Sequence, residues 1–207
     1  MVKRKHERKM VICVAGMTGC GKSTVARRLA DRYGLTHLSG GNALKSLAVK
    51  MGYKSCEKGW WETEEGMRFL QQRMGDPQFD KKVDEELMRQ ARLGSAVLDS
   101  WTMPWLLKEG FKVWLEASPD VRARRIAKRN GISPEEALNI LREKDEKTGT
   151  IYKNLYGFDL GEDFSPFHLI LDTNDLTSEE VFQTLCTVIN RLMLRKPKTT
   201  CPKSMRL

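Results

Sequence analysis

The chain has 207 residues, of which 40% are hydrophobic and 30% charged, a balance that suits one α/β unit with a sizeable core and excludes a disordered or fibrous chain. No apolar run approaches the roughly 20 residues that a membrane span needs. The formal net charge of +9 resembles a nucleic-acid signature until it is located: residues 1–9 hold five Lys/Arg against one Glu, residues 195–207 hold five and no acid, and the body between carries 26 of each sign.

In chain order, the apolar run from Met10 to Ala15 predicts a buried strand. It feeds Gly16-Met17-Thr18-Gly19-Cys20-Gly21-Lys22-Ser23, and a helix over about 22–33 ends at Gly34. An extended piece from Leu35 to Leu38 precedes Ser39-Gly40-Gly41. From 42 to 94 the chain is charged and helical in period, broken at Gly52, Gly59, Gly75 and Pro77. Ala96-Val97-Leu98 ending in Asp99, and Phe111 to Glu116, predict two more buried strands. Pro119 opens a strongly basic helix to about 130, and Ser133-Pro134-Glu135-Glu136 reads as the cap, first-turn proline and acidic first turn of the next. His168 to Asp172 is a last strand, and Ser178-Glu179-Glu180 caps a final helix to about 194. Short apolar strands alternating with helices imply a parallel sheet covered on both faces.

The pattern G-x-x-x-x-G-K-S between a strand and a helix is the context of a phosphate-binding loop. Backbone N–H groups over Gly16, Met17, Thr18, Gly19, Cys20 and Gly21 converge on phosphate oxygens, and the helix opened by Thr24 adds its positive end. Lys22 reaches the β/γ-phosphates and Ser23 is placed to hold magnesium, so ATP and Mg²⁺ are the expected cofactors. Asp99, ending a strand beside the loop, is a second candidate for the magnesium shell, or a turn cap.

The basic N-terminus is followed by the strand and the phosphate-binding loop rather than by a cleavable signal. The five cysteines, Cys13, Cys20, Cys56, Cys186 and Cys201, are scattered and lack C-x-x-C spacing, which fits a reducing cytoplasm and neither a disulfide framework nor a zinc site. The basic ends read as solvated tails, with a weak RNA contact as the other reading.

Four segments together resemble the nucleoside monophosphate kinases, and most closely the archaeal-type cytidylate kinases. They are the loop with Ser23-Thr24-Val25-Ala26, Leu38-Ser39-Gly40-Gly41, the run from Pro119 to Ser133, and Tyr152 to Asp159 followed by Leu169-Ile170-Leu171-Asp172-Thr173. The likeness covers about residues 10–190. It implies an adenylate-kinase-like P-loop NTPase fold over 10–194, with an acceptor-binding excursion at about 42–94 and a lid at about 129–160. Gly131, Gly149 and Gly157 are candidate hinges of that lid. It also implies a monomer that moves the γ-phosphoryl group of ATP to CMP or dCMP.

The departures from the family fall in the acceptor half. Lys45 stands where an arginine is usual after the Ser-x-Gly, Ser100-Trp101 replace a Gly-Arg pair, and Ile151 replaces the arginine before Tyr152. An arginine fork is not replaced neutrally by Lys, Ser or Ile. The candidate cations are therefore Lys45 and Arg89 for the acceptor, and Arg125 and Arg129 for the donor, on the helical face they share with Arg122. Arg142, with Lys144 and Lys147, is a candidate to act on the transferring group. Ser39 and Trp101 complete the acceptor candidates, Trp101 and Trp60-Trp61 either stacking a base or packing core. Two other functions fit the altered acceptor half. One is a kinase acting on a hydroxyl of a small molecule or RNA end, with Asp99 or the acidic face around Asp80 and Asp84 as base. The other is a nucleotide-binding regulatory protein with vestigial transfer.

Overall fold

The computed structural model describes residues 9–56 and 58–192, so the expectations for the basic tails at 1–9 and 195–207 lie outside the described residues, Lys9 excepted. Five strands form one parallel sheet: β1 (Val11–Ala15), β2 (Thr36–Ser39), β3 (Ala96–Asp99), β4 (Phe111–Glu116) and β5 (Leu169–Asp172), in spatial order β2-β3-β1-β4-β5. The helices are α1 (Lys22–Tyr33), α2 (Gly40–Lys50), α3 (Glu64–Gly75), α4 (Gln78–Leu93), α5 (Met103–Leu106), α6 (Pro119–Asn130), α7 (Pro134–Tyr156) and α8 (Ser178–Leu192), with a 3₁₀ turn at Trp60–Glu62.

β1 is buried along its whole length because both faces of the sheet are covered. Ile12 and Val14 pack with Val25 and Leu29 of α1 and Leu185 and Ile189 of α8. Val11 and Cys13 pack on the other face with Leu87 and Ala91 of α4 and Met103 of α5. Each of the larger side chains stabilises the fold by about 1.5–3 kcal/mol on burial. Pairing sets Ser39 level with Asp99 and Asp99 level with Val14. The polar ends of β2 and β3 thus meet the start of the phosphate-binding loop at the carboxyl edge of the sheet, where open α/β sheets bind ligands.

Helix starts follow the sequence closely. Ser118 and Ser133 cap α6 and α7, each hydroxyl accepting from the N–H three residues on. For α8 the cap is one residue earlier than the sequence reading placed it: Thr177 accepts from Glu180 N–H, and the Glu180 carboxylate receives the Thr177 N–H in return. Gly131 and Gly157 end α6 and α7, but Gly149 lies inside α7, which runs unbroken for 23 residues. Among the described residues no helix is long and apolar enough to cross a membrane.

Gly16 and Gly21 both have positive φ, at 146° and 103°. A Cβ on Gly16 would collide with the Leu115 carbonyl and meet Cys20 Sγ at 2.6 Å, whereas one on Gly21 would meet open space. Strained backbone of this kind costs about 1–3 kcal/mol for a residue with a side chain. Gly21→Ala is expected to cost that much in urea unfolding, and Gly16→Ala clearly more, because β4 backbone must also move. Equal losses would show that close packing on β4 does not constrain the loop.

Candidate active site

The phosphate-binding loop is fixed from its flank by a buried ion pair. Arg122 of α6 meets Asp145 of α7 at 2.6 Å, with side chains 8% and 10% exposed. Asp145 accepts the Thr18 N–H at 3.3 Å, and Arg122 donates to the Thr18 carbonyl at 3.1 Å. Arg125 ties the loop to the end of β5, donating to the Cys20 carbonyl and to Thr173. The helical face shared by Arg122, Arg125 and Arg129 is therefore divided: Arg122 is buried structure, and the other two reach the site.

Two cavities open at the loop. The first, about 220 Å³, lies toward β2, α3 and α4, and the second, about 530 Å³, lies toward α6 and the start of α8. Gly19, Lys22, Ser23 and Arg129 line both, so the cavities meet at the end of the loop. Lys22 donates to the Met17 carbonyl at 3.0 Å and lies 5.1 Å from the Trp101 ring centre. It has no carboxylate partner among the described residues, which leaves its charge for a ligand.

The first cavity gathers Ser39, Asp99, Trp101 and Arg129 of the sequence candidates. Ser39 donates to Asp99 at 3.3 Å, and Asp99 is 5% exposed. Trp101 stands edge-on to Tyr152 at 6.2 Å. Trp60 and Trp61 also line the cavity: Arg73 and Lys144 lie over the Trp61 ring at 5.4 and 5.6 Å, and Trp60 is buried against Phe69. Gly21, Thr24, Arg125 and Thr173 line the second cavity.

Four candidate cations lie outside both cavities, among them Lys147, which pairs with Glu143 on its own helix. Lys45 turns to the Cys56 carbonyl, Arg89 is exposed and paired with Glu86 on its own helix, and Arg142 is on the exposed face of α7. The first cavity is lined instead by Lys144, already a companion candidate to Arg142, and by Arg73, which the sequence reading did not name. Arg73 binds Asp80 through two hydrogen bonds of 2.9 and 2.6 Å, with both side chains almost fully buried. Glu62 was also missed: one oxygen meets Lys144 at 2.9 Å and the other Arg129 at 2.7 Å. Burial would raise the Glu62 carboxyl, but the charges of Lys144 and Arg129 outweigh it and hold it below its usual range.

Cys20 is a packing residue. Burial pushes its thiol up, against the activation that a helix N-terminus and Lys22 would give. His168 accepts the Lys112 N–H at 3.1 Å, and no group of three His/Cys/Asp/Glu suited to a metal occurs among the described residues. The residues fit a nucleotide-borne ion nonetheless. Magnesium beside phosphates keeps waters and takes only one or two protein oxygens, and Ser23 and Asp99, which line the same cavity, carry oxygens of that kind. Thr18 Oγ1, buried on the first cavity's wall without a partner, is a further polar atom that a phosphate oxygen would satisfy.

Asp84 of α4 also lines the first cavity and accepts from Thr102 at 2.7 Å and Tyr156 at 2.9 Å. Burial raises its carboxyl to about 7 despite those hydrogen bonds. The unfolded value is about 3.9, so across that interval the native state keeps a proton the unfolded chain has lost. Asp84 therefore makes stability fall as pH rises from about 4 to about 7, with no further loss above. Thermal unfolding from pH 5 to pH 8 is expected to show this fall in the wild type and a shallower one in Asp84→Asn. Parallel curves would contradict the assignment.

Residues 11–175 match the cytidylate kinase-like family. A cytidylate kinase of Pyrococcus horikoshii is 33% identical over 185 residues, covering 89% of this chain and 90% of the relative. One from Methanocaldococcus jannaschii is 30% identical over 188 residues, covering 88% and 99%. Among solved structures, a shikimate kinase of Bacteroides thetaiotaomicron aligns over 90% of this chain and 99% of its own at 17% identity and a TM-score of 0.53, a likeness of fold alone. With its phosphate-binding loop and paired cavities, the chain belongs to the cytidylate kinase-like family.

Proposed function

We propose that the protein transfers the γ-phosphoryl group of ATP to a nucleoside monophosphate, CMP or dCMP before others, with magnesium held by Ser23 and Asp99. The observation that carries this reading is the pair of cavities meeting at Gly19, Lys22, Ser23 and Arg129, one for a donor and one for an acceptor. A hydrolase needs only one. The choice of cytidine rests on the relatives named cytidylate kinase.

In this reading the donor lies in the cavity beside Arg125 and Thr173, its phosphates on the loop. The acceptor lies between Trp61, Trp101 and Tyr152. An oxygen of the acceptor phosphate attacks the γ-phosphorus, the bond to the β–γ bridging oxygen breaks, and ADP leaves. That oxygen is already anionic, so the step needs charge neutralisation and alignment rather than a base. Lys22, Arg129 and Lys144 provide the cations. When bound, magnesium adds charge neutralisation at the phosphate oxygens. Arg73, committed to Asp80, shapes the acceptor wall.

A second reading rests on Asp84. A cavity carboxyl poised near 7 is a general base suited to a hydroxyl acceptor.

One assay decides between them. ADP release from ATP is measured with a panel of nucleoside monophosphates, nucleosides and RNA ends. CMP and dCMP are expected to raise it far above the acceptor-free rate, and Lys22→Ala to abolish that response with an unchanged circular-dichroism spectrum. A response to hydroxyl acceptors and none to monophosphates would transfer the reaction to the Asp84 reading.

The cations make a separate test. A charge-assisted hydrogen bond to phosphate contributes about 1.5–3 kcal/mol. Lys144→Met is expected to raise the acceptor KM about ten- to a hundredfold, and Lys45→Ala to leave it unchanged. The reverse ranking would put the acceptor phosphate near α2.

A further inference from the structure

Glu62 is the one carboxylate that joins the acceptor side of the site to the α6–α7 pair by ion pairs among the described residues. Its side chain is 4% exposed yet lines the cavity assigned to the acceptor. Its two oxygens bind separate cations on separate helices: Arg129 near the end of α6, and Lys144 in the middle of α7. The turn that carries it is pressed onto α6, since a Cβ on Gly59 would overlap the Asn130 side chain. Arg129 lines both cavities, and Lys22 lies close enough to Lys144 to disfavour its charge further.

A fixed carboxylate in this position opposes the reaction the site is built for. The acceptor phosphate is a dianion, and it must enter a cavity where Glu62 already engages two cations that would receive it. Two carboxylate oxygens present to Arg129 and Lys144 what two phosphate oxygens would present. Burial penalises the Lys144 ammonium, and the charge and hydrogen bond of Glu62 offset part of that penalty.

We infer that Glu62 is an internal anion that occupies Arg129 and Lys144 until the acceptor's phosphate displaces it, so that both cations reach the transferring group only when an acceptor is present. This rests on the phosphotransfer reading above. The exchange replaces one pair of charge-assisted hydrogen bonds by another, with no buried cation left unpaired at any stage. It also gives the enzyme a means of not spending ATP on water: without an acceptor, two of the three cations near the γ-phosphate are held by Glu62. The signal is carried on α7, where Lys144 is followed by Asp145, the residue that holds the Thr18 N–H of the loop.

The test uses the full chain as Glu62→Gln and Glu62→Asp, read by acceptor-free ATP hydrolysis and by the KM for CMP. Removing the charge releases Arg129 and leaves Lys144 hydrogen-bonded only to a neutral amide oxygen, so Glu62→Gln is expected to raise acceptor-free hydrolysis about fivefold or more and to lower the acceptor KM about threefold or more. Glu62→Asp keeps the charge but falls one methylene short of bridging both cations, and is expected to shift both quantities in the same directions by less. A merely structural ion pair would instead give lower kcat and no gain in hydrolysis. Unchanged or reduced acceptor-free hydrolysis, or a raised acceptor KM, overturns the inference. If the Gln variant loses its wild-type circular-dichroism spectrum, the Asp variant alone decides, by the same two directions. Absence of any monophosphate-dependent ADP release in the wild type would sink the phosphotransfer reading, while the hydrolysis arm would still report on Glu62.

Discussion

Thr18 sits between two buried charges of opposite sign, its N–H on Asp145 and its carbonyl on Arg122. A loop of converging N–H groups can receive phosphate cheaply only if it is held in shape beforehand, since ordering it on binding would cost about 1–2 kcal/mol per residue. The Arg122–Asp145 pair does this from α6 and α7, Arg125 does it from the end of β5, and the close fit of Gly16 on β4 does it from below. A buried ion pair is weak evidence for stability, because desolvation offsets much of its attraction. Its value here is geometric: it fixes the loop and joins it to the helices that carry the phosphate-facing cations.

That join bears on how the altered acceptor half works. The arginines usual in the resembled family are absent at Lys45, Ser100-Trp101 and Ile151, yet the first cavity is not short of positive charge. Lys144, Arg129 and Lys22 line it, and Trp61 and Trp101 present aromatic faces against these cations. A cation over a ring gains about 0.5–2 kcal/mol, depending on how dry the site is. Arg129 and Lys144 bring this charge from α6 and α7, and Glu62 engages both of those helices. Ser100, on the wall of the same cavity, hydrogen-bonds Thr102 and through it reaches Asp84.

The parts of this arrangement legible in the sequence are those fixed by neighbours along the chain. The strands showed as short apolar runs, the loop as an unbroken motif, the α6 start as Pro119 and the α7 cap as Ser133-Pro134, because each depends on residues within a few positions. The α8 cap was displaced by one because both Thr177 and Ser178 precede acidic residues, and only Glu180 pairing back to Thr177 selects between them. Asp99, Ser39 and Trp101 line the first cavity because strand ends beside such a loop must face it. Lys45, Arg89 and Arg142 were misplaced for a shared reason: helical period says which residues share a face, not which face meets the cavity. Glu62 and Arg129 are 67 residues apart, and Glu62 and Lys144 are 82 apart. Nothing local marks such a pairing. Arg73 and Asp80 flank the Gly75-Asp76-Pro77 turn, and that tight reversal between two charged helices was the one available clue.

The central claim is that one loop serves two cavities that are filled together. A compound joining adenosine to cytidine through a chain of phosphates tests this directly, since it spans donor and acceptor sites at once and converts the second binding event into an intramolecular one. Titration calorimetry is expected to give one molecule per chain, bound at least about a hundredfold more tightly than ATP or CMP alone, with Lys22→Ala removing most of that gain. Binding no tighter than ATP, or an equal gain when cytidine is replaced by a bare phosphate chain, would mean that the second cavity takes no nucleotide, and the two-cavity account would fail.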